Sequence, residues 1–287
     1  MSSGLVLVDK PKDWTSHDVV AKMRGVLGTR KVGHAGTLDP MATGLLILGV
    51  NQGTKLLQYL LGSNKSYTAT IRLGQATVSD DAESEVLEQK DASNISEEQI
   101  DSEIQKLTGT FDQVPSSVSA KKVDGARAYD LVRAGKDVQL KAKTITIDTF
   151  SRTNQVRYHD GLADFDVEVS CSTGTYIRAL ARDIGIALGV GGHLIALRRT
   201  SIADFSVESA SEMTAEPVLI DLKDAASRLF ESCEILEQQE TDLRHGKQIQ
   251  LDSKSAVVAL TRNDQLVALA EPAGDFFKSM AVFQVDQ

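Results

Sequence analysis

The stretch Gly33-His-Ala-Gly-Thr-Leu-Asp-Pro-Met-Ala-Thr-Gly44 holds three glycines and one proline in twelve residues. Such a segment is too broken to run as a regular element, because glycine loses backbone order and proline lacks a donor. It leads straight into Leu45-Leu-Ile-Leu48, an apolar run with the pattern of a buried strand. An irregular loop is therefore tied to a core strand. Asp39 stands in that loop between the glycine pairs Gly33/Gly36 and Gly44/Gly49. Pro40 restricts it to extended backbone and so limits where its carboxylate can point. Arg30, Lys31 and His34 surround it in sequence, and only four acids occur in the first 79 residues. A free aspartate titrates near ~3.9, and cations keep it ionised. An ionised carboxylate suits a nucleophile or a base better than a general acid. Read from the loop alone, Asp39 is equally an Asx-turn or capping residue. GxxxxGK[ST] is absent, so the loop is not a phosphate cradle of that kind.

Around this loop the chain mixes strand and helix patterns without a strict βαβ rhythm, which predicts an α+β fold. Leu5–Val8 reads as a short buried strand. Thr15 and Ser16 are N-cap candidates before Val19, Val20, Met23, Val26 and Leu27, which share a helical face. Residues 67–73 alternate as a strand should. Ser96-Glu-Glu-Gln99 is a capping box that opens a helix. Residues 143–151 and 164–172 read as strands, and 175–189 as a helix stopped by Gly189. Beyond about residue 230 the pattern becomes short strands at 256–261, 265–270 and 280–285, with a boundary placed near 225–232.

Length and composition bound the function class. A chain of 287 residues, 41% hydrophobic and 25% charged, can bury a core in one large domain or two unequal ones. No run reaches the ~18 apolar residues of a membrane span, and the N-terminus lacks the basic flank of a secretory signal. Two cysteines, Cys171 and Cys233, make no disulfide framework and fit a reducing cytoplasm. The net charge of −9 argues at face value against a nucleic-acid partner. It is unevenly spread, however. Residues 1–79 carry nine basic against four acidic residues, and residues 120–152 eight against four. The acids concentrate in 80–119 and 206–287. Two basic segments can thus share a face, although charge alone also fits ordinary solvated surfaces.

Several further motifs stand in a fixed order. Asp9-Lys10-Pro11 precedes the 33–44 block, and Lys65-Ser-Tyr67 follows it. Next come Leu73-Gly74-x-x-Thr77, Gln113-Val-Pro115, Gly125-x-x-Ala128-Tyr129 and Ser172-x-Gly174-Thr175-Tyr176-Ile177-Arg178. Gly192-His193-Leu-Ile-Ala-Leu197-Arg198-Arg199-Thr200 closes the series. Over about residues 4–205 this set resembles the TruB family of bacterial tRNA pseudouridine synthases. The resemblance implies the pseudouridine synthase fold, a mixed and largely antiparallel sheet flanked by helices. It implies a catalytic domain at 1–228 with a thumb insertion at about 120–150, and a small PUA-like RNA-binding β domain at 229–287. The implied reaction isomerises uridine 55 in the T-loop of tRNA. The N1–C1′ bond breaks, the base turns, and a C5–C1′ bond forms. No cofactor or metal is required. The expected partner is the T-arm stem-loop of tRNA, met by a cytoplasmic monomer with no obligatory protein partner and no membrane.

The resemblance also implies roles. Asp39 is the catalytic carboxylate, attacking a carbon of the substrate or taking a sugar proton. Tyr176 lies over the target base, and Arg178 holds the carboxylate of Asp39. If residues 176–178 were a strand, these two side chains would share a face. Read without the family, Arg178 is a surface ion pair. Tyr67 stacks on the flipped uracil, a contact worth roughly 1–3 kcal/mol, and Leu197 walls the pocket. Both are also ordinary core residues by pattern. His34 fills the stack that the nucleotide vacates. Zinc is the competing reading for the histidines, but His17, His34, His159, His193 and His245 show no ligand spacing. Lys10, Lys31 and Lys65 are candidates for phosphate contacts. The chain departs from the family pattern at Val118, Ser79 and Ser84, so the loop near Asp81 is expected to differ in shape. Two rival readings are a tRNA-binding or folding factor that uses the same face without catalysis, and a glycosidase-like hydrolase. The hydrolase needs a second carboxylate that the sequence does not supply.

Overall fold

Strands form here where apolar and polar residues alternate or where an apolar run is short and branched. The structure is a computed structural model, and it describes residues 2–116, 122–123, 126–127 and 141–284. By compactness the chain divides into two units. One comprises Met1–Pro40, Gly44–Leu61 and Ala203–Gln287, and the other Met41–Thr43 and Gly62–Ile202. The architecture is α+β, as the mixed pattern predicts.

In the first unit β1 (Gly4–Lys10) runs antiparallel to β3 (Thr43–Val50), with Gly4 opposite Val50 and Lys10 opposite Gly44. β2 (Val32–Ala35) pairs with the other edge of β3. This corrects the reading of 33–44 as wholly irregular: β3 supplies ladder partners that local composition does not reveal. Thr15, not Ser16, caps helix Ser16–Val26, in a capping box with Asp18. Val19, Val20 and Met23 on that helix bury themselves against Val6, Val8, Leu46 and Leu48. Burying such side chains contributes roughly 1.5–3 kcal/mol each. The C-terminal stretch adds a four-stranded sheet, formed by Glu231–Glu234, Val258–Arg262, Gln265–Ala273 and Phe276–Val282 in that order. It has its own core of Ile235, Leu243, Val258, Leu260, Val267 and Phe277.

In the second unit β4 (Lys65–Leu73) lies between β12 (Leu162–Cys171) and β13 (Gly192–Ile202), antiparallel to both. β10 (Lys143–Arg152) and β7 (Gly109–Gln113) extend the sheet beyond β12. β4 alternates strictly: Lys65, Tyr67, Ala69, Ile71 and Leu73 are buried, and the residues between them are half-buried. Among the described residues two longer helices cover this unit, one with a side-chain cap and one without. Glu97–Lys106 starts at the predicted Ser96–Gln99 capping box. The other runs Ile177–Ala187, shorter than the 175–189 expected, because Tyr176 is still extended. Gly189 takes φ +77° and ends it as predicted. A Cβ on Gly185 would lie 2.1 Å from the Gly192 amide nitrogen, so the glycine lets this helix sit directly on the start of β13.

At the far end of the thumb expected at about 120–150, Lys143–Arg152 forms the sheet strand that the pattern of 143–151 predicts. Residues 122–123 and 126–127 form a two-stranded ladder. Residues 117–121, 124–125 and 128–140, Val118 and the Ala128-Tyr129 pair among them, lie outside the described residues. Among the described residues no helix is long and apolar enough to cross a membrane.

Candidate active site

The site residues fall into two groups, one in each unit. In the first unit Asp39 is half-buried and follows Gly36, whose φ of +83° turns the chain after β2. Both neighbours of Asp39 are fastened. The fully buried Ser16 hydroxyl accepts from the Leu38 N–H at 2.9 Å and donates to the Leu38 carbonyl at 3.3 Å. The Pro40 carbonyl accepts from the Asp13 N–H at 2.9 Å and from Lys10 Nζ at 3.2 Å. Lys10 is 0% exposed and also donates to the carbonyls of Pro11 and Trp14. A buried ammonium needs such acceptors. Lys10 therefore braces the turn under Asp39. Lys12, Lys22, Arg30 and Lys31 are exposed in this unit. His34 is half-buried on β2 and meets His17 edge-on, with ring centroids 5.6 Å apart.

In the second unit Tyr67 and Leu197 come together on one buried face. Tyr67 on β4 is opposite Arg199 on β13, and Leu197 is opposite Ala69. Such diagonal neighbours on adjacent strands lie within reach of an aromatic side chain. Arg199 is 1% exposed and hydrogen-bonds the Tyr67 side chain; burial pushes its guanidinium down, and Tyr67 opposes this. Sequence reasoning assigned Arg199 no role. The signal was present: adjacent arginines in a strand point to opposite faces, so one of Arg198 and Arg199 had to share the face of Leu197. Lys65 is buried on the same face and donates to the Ser63 carbonyl at 2.7 Å. Burial, and then the charge of Arg199, push its amine down to about 8. Lys65 is thus a buried group that feels the charge of Arg199.

Arg178 is a buried ion pair, not the surface pair that the residues alone suggest. Its Nη1 donates to Asp81 Oδ2 at 3.0 Å and to the Ser79 carbonyl at 2.8 Å. Two of the three departures from the family pattern, Ser79 and Ser84, meet in this loop. The Ser84 hydroxyl accepts from the Ser79 N–H at 2.9 Å and bonds its hydroxyl at 2.6 Å, while the Ser79 hydroxyl also bonds Asp81. Beside it, burial raises Asp80 against the opposing pull of Ser116 and Arg182. Tyr176 is half-buried at the helix start, so Tyr176 and Arg178 do not share a strand face as supposed. Arg152, from the second basic segment, is held by Asp101 and Glu97. Among the described residues no three His, Cys, Asp or Glu side chains gather as a metal site.

The arrangement offers a carboxylate on a braced loop, and separately a buried aromatic-apolar face beside the buried Arg199. Comparison with known proteins gives these features a context. Residues 24–177 match the TruB family pseudouridylate synthase N-terminal domain, and residues 178–233 match the tRNA pseudouridylate synthase B C-terminal domain. The chain is 50% identical to the tRNA pseudouridine synthase B of Leifsonia xyli, over 100% of this chain and 98% of that protein. It is 48% identical to that of Paenarthrobacter aurescens, over 99% and 96%. In fold it is similar to a chain of a Cbf5-Nop10-Gar1 complex, with a TM-score of 0.71 and 24% identity over 98% of this chain and 85% of the other. With two family domains in order and half of all residues identical to a full-length relative, the chain belongs to the TruB family of pseudouridylate synthases.

Proposed function

We propose that this protein isomerises uridine 55 to pseudouridine in the T-loop of tRNA, with Asp39 as the catalytic carboxylate. The relatives named tRNA pseudouridine synthase B support the tRNA substrate. The observation that carries the assignment to Asp39 is its setting: Leu38 and Pro40 are both fastened, so the carboxylate between them is pre-positioned. Asp39 acts on a carbon or proton of the uridine while N1–C1′ breaks and C5–C1′ forms. The base loses its C5 proton and N1 gains one, so the change is a net isomerisation. Tyr67 stacks on the extruded uracil, Leu197 walls it, and Tyr176 stands near the C5 proton. Arg178 orients Asp39, and His34 occupies the vacated stack. Lys10 and Lys65 serve the substrate site, and exposed Lys12, Lys22, Arg30 and Lys31 add phosphate contacts. Residues 229–287 serve as a PUA-like RNA-binding domain, and the protein works in the cytoplasm as a monomer.

The test replaces Asp39 with Asn and measures pseudouridine in a T-arm hairpin containing uridine 55. The expected result is binding near wild type with turnover lost by several orders of magnitude. Wild-type turnover in Asp39→Asn overturns the assignment.

A further inference from the structure

Tyr176 stands where its own side chain cannot secure it. It is the N-cap of helix Ile177–Ala187, yet it makes no side-chain capping bond. Caps are normally Ser, Thr, Asp or Asn, whose oxygens accept a helix N–H. The backbone of Tyr176 is instead held by Gln113, the last residue of β7. Gln113 Nε2 donates to the Tyr176 carbonyl at 3.0 Å, and Gln113 Oε1 accepts from the Tyr176 N–H at 2.9 Å. A flipped amide would face donor to donor and acceptor to acceptor, so the assignment is unique. Gln113 is 2% exposed. One bond would let Tyr176 pivot, whereas two bonds in the plane of an amide fix both its position and its tilt.

The clamp is itself fastened. The backbone of Gln113 pairs with Lys143 in the β7–β10 ladder. Arg182, one turn beyond Arg178, donates back to the Val114 carbonyl at 2.7 Å and to that of Pro115 at 3.4 Å. The segment 113–115 and the start of the helix are thus joined in both directions. Residues 113–115 belong to the motif series, but no part of the chemistry assigned so far uses them.

We propose that Gln113 is a positioning residue: it sets where the Tyr176 ring stands over the target base and does not itself touch substrate. The inference rests on the role given to Tyr176 above. A displacement of about 1 Å at a reacting group costs on the order of 100-fold in rate. Losing the clamp should therefore lower turnover more than binding.

The experiment uses the full-length protein, a T-arm hairpin RNA and two substitutions. Gln113→Met keeps the length of the side chain and removes both bonds. It is expected to lower kcat on the order of 10- to 100-fold, with KM within about twofold. In Gln113→Glu the ionised carboxylate still accepts from the Tyr176 N–H but repels the carbonyl. Once protonated, it both donates and accepts as glutamine does. A buried carboxyl titrates above its ordinary range, so the kcat of Gln113→Glu relative to wild type should recover as pH falls from 8 to 6. That of Gln113→Met should not. Wild-type kcat in Gln113→Met, or equal losses in the two variants at every pH, overturns the positioning role. If Gln113→Met does not fold, the recovery of Gln113→Glu at low pH decides alone. An inactive wild-type protein overturns the functional reading and this proposal with it, whereas an active wild type beside an unaffected Gln113→Met overturns only the proposal.

Discussion

The loop that carries Asp39 is held by Ser16 and Lys10, 22 and 30 positions away in sequence, through bonds to backbone carbonyls and an amide. The helix start that carries Tyr176 and Arg178 is held by Gln113, Asp81 and Ser79, from 63 to 99 positions away, and one of those links is a buried ion pair. Loop closure does not make the second arrangement much more costly, since each doubling of separation adds only about 0.6 kcal/mol. Both regions hold a buried cation, Lys10 in one and Arg178 in the other; they differ in what a lost partner leaves behind. In the first, losing Ser16 or Lys10 leaves neutral backbone groups of Leu38 or Pro40 unsatisfied. In the second, losing Arg178 leaves the Asp81 carboxylate buried, which costs several times more. The two regions should therefore fail differently, one through geometry and the other through stability.

The strongest challenge to this contrast is Arg178→Met, which leaves Asp81 buried and uncompensated. Denaturant unfolding should show a loss of about 3–5 kcal/mol; an unchanged midpoint would mean that the pair adds nothing to the fold. Next is Lys65→Met, on the face shared by Tyr67 and Arg199. Between about pH 8 and the ordinary lysine value near ~10.4, the unfolded lysine holds a proton that the folded one has lost. Stability therefore rises with pH through that window. Below it, burying the charged amine costs on the order of 3 kcal/mol, which Lys65→Met removes. The excess of the variant's melting temperature over wild type should shrink from pH 8 to 10.5. A constant difference across that range would show that Lys65 does not titrate low. The smallest effect is expected from Ser16→Ala, which deprives the buried Leu38 N–H of its acceptor at about 1–3 kcal/mol. Because it acts beside Asp39, kcat should fall while RNA binding changes little, and the unfolding midpoint should move less than in Arg178→Met. A loss of binding equal to the loss of turnover would erase the distinction between the regions.

Local pattern carried much of the fold. The N-cap at Thr15, the capping box at Ser96, the alternation of 67–73 and the stop at Gly189 all form where their side chains predict. Each of these depends on residues within a turn or a strand of one another. The prominence of Asp39 was legible for the same reason, since Pro40 and the glycines act on the backbone beside them. The misplaced features share a different cause. Lys10, Lys65 and Arg178 look like surface cations in a linear reading, and strand β2 looks like loop. Their burial and pairing come from segments that sequence distance hides.

The order of elements, the caps and the turn around Asp39 were thus set by the sequence itself, because propensity, capping and proline geometry operate over a few residues. Which cations lie buried, which arginine meets Tyr67, and which amide holds Tyr176 were decided only by tertiary structure. Those outcomes depend on which strands become neighbours and how much water they exclude, and no short stretch of chain contains that information.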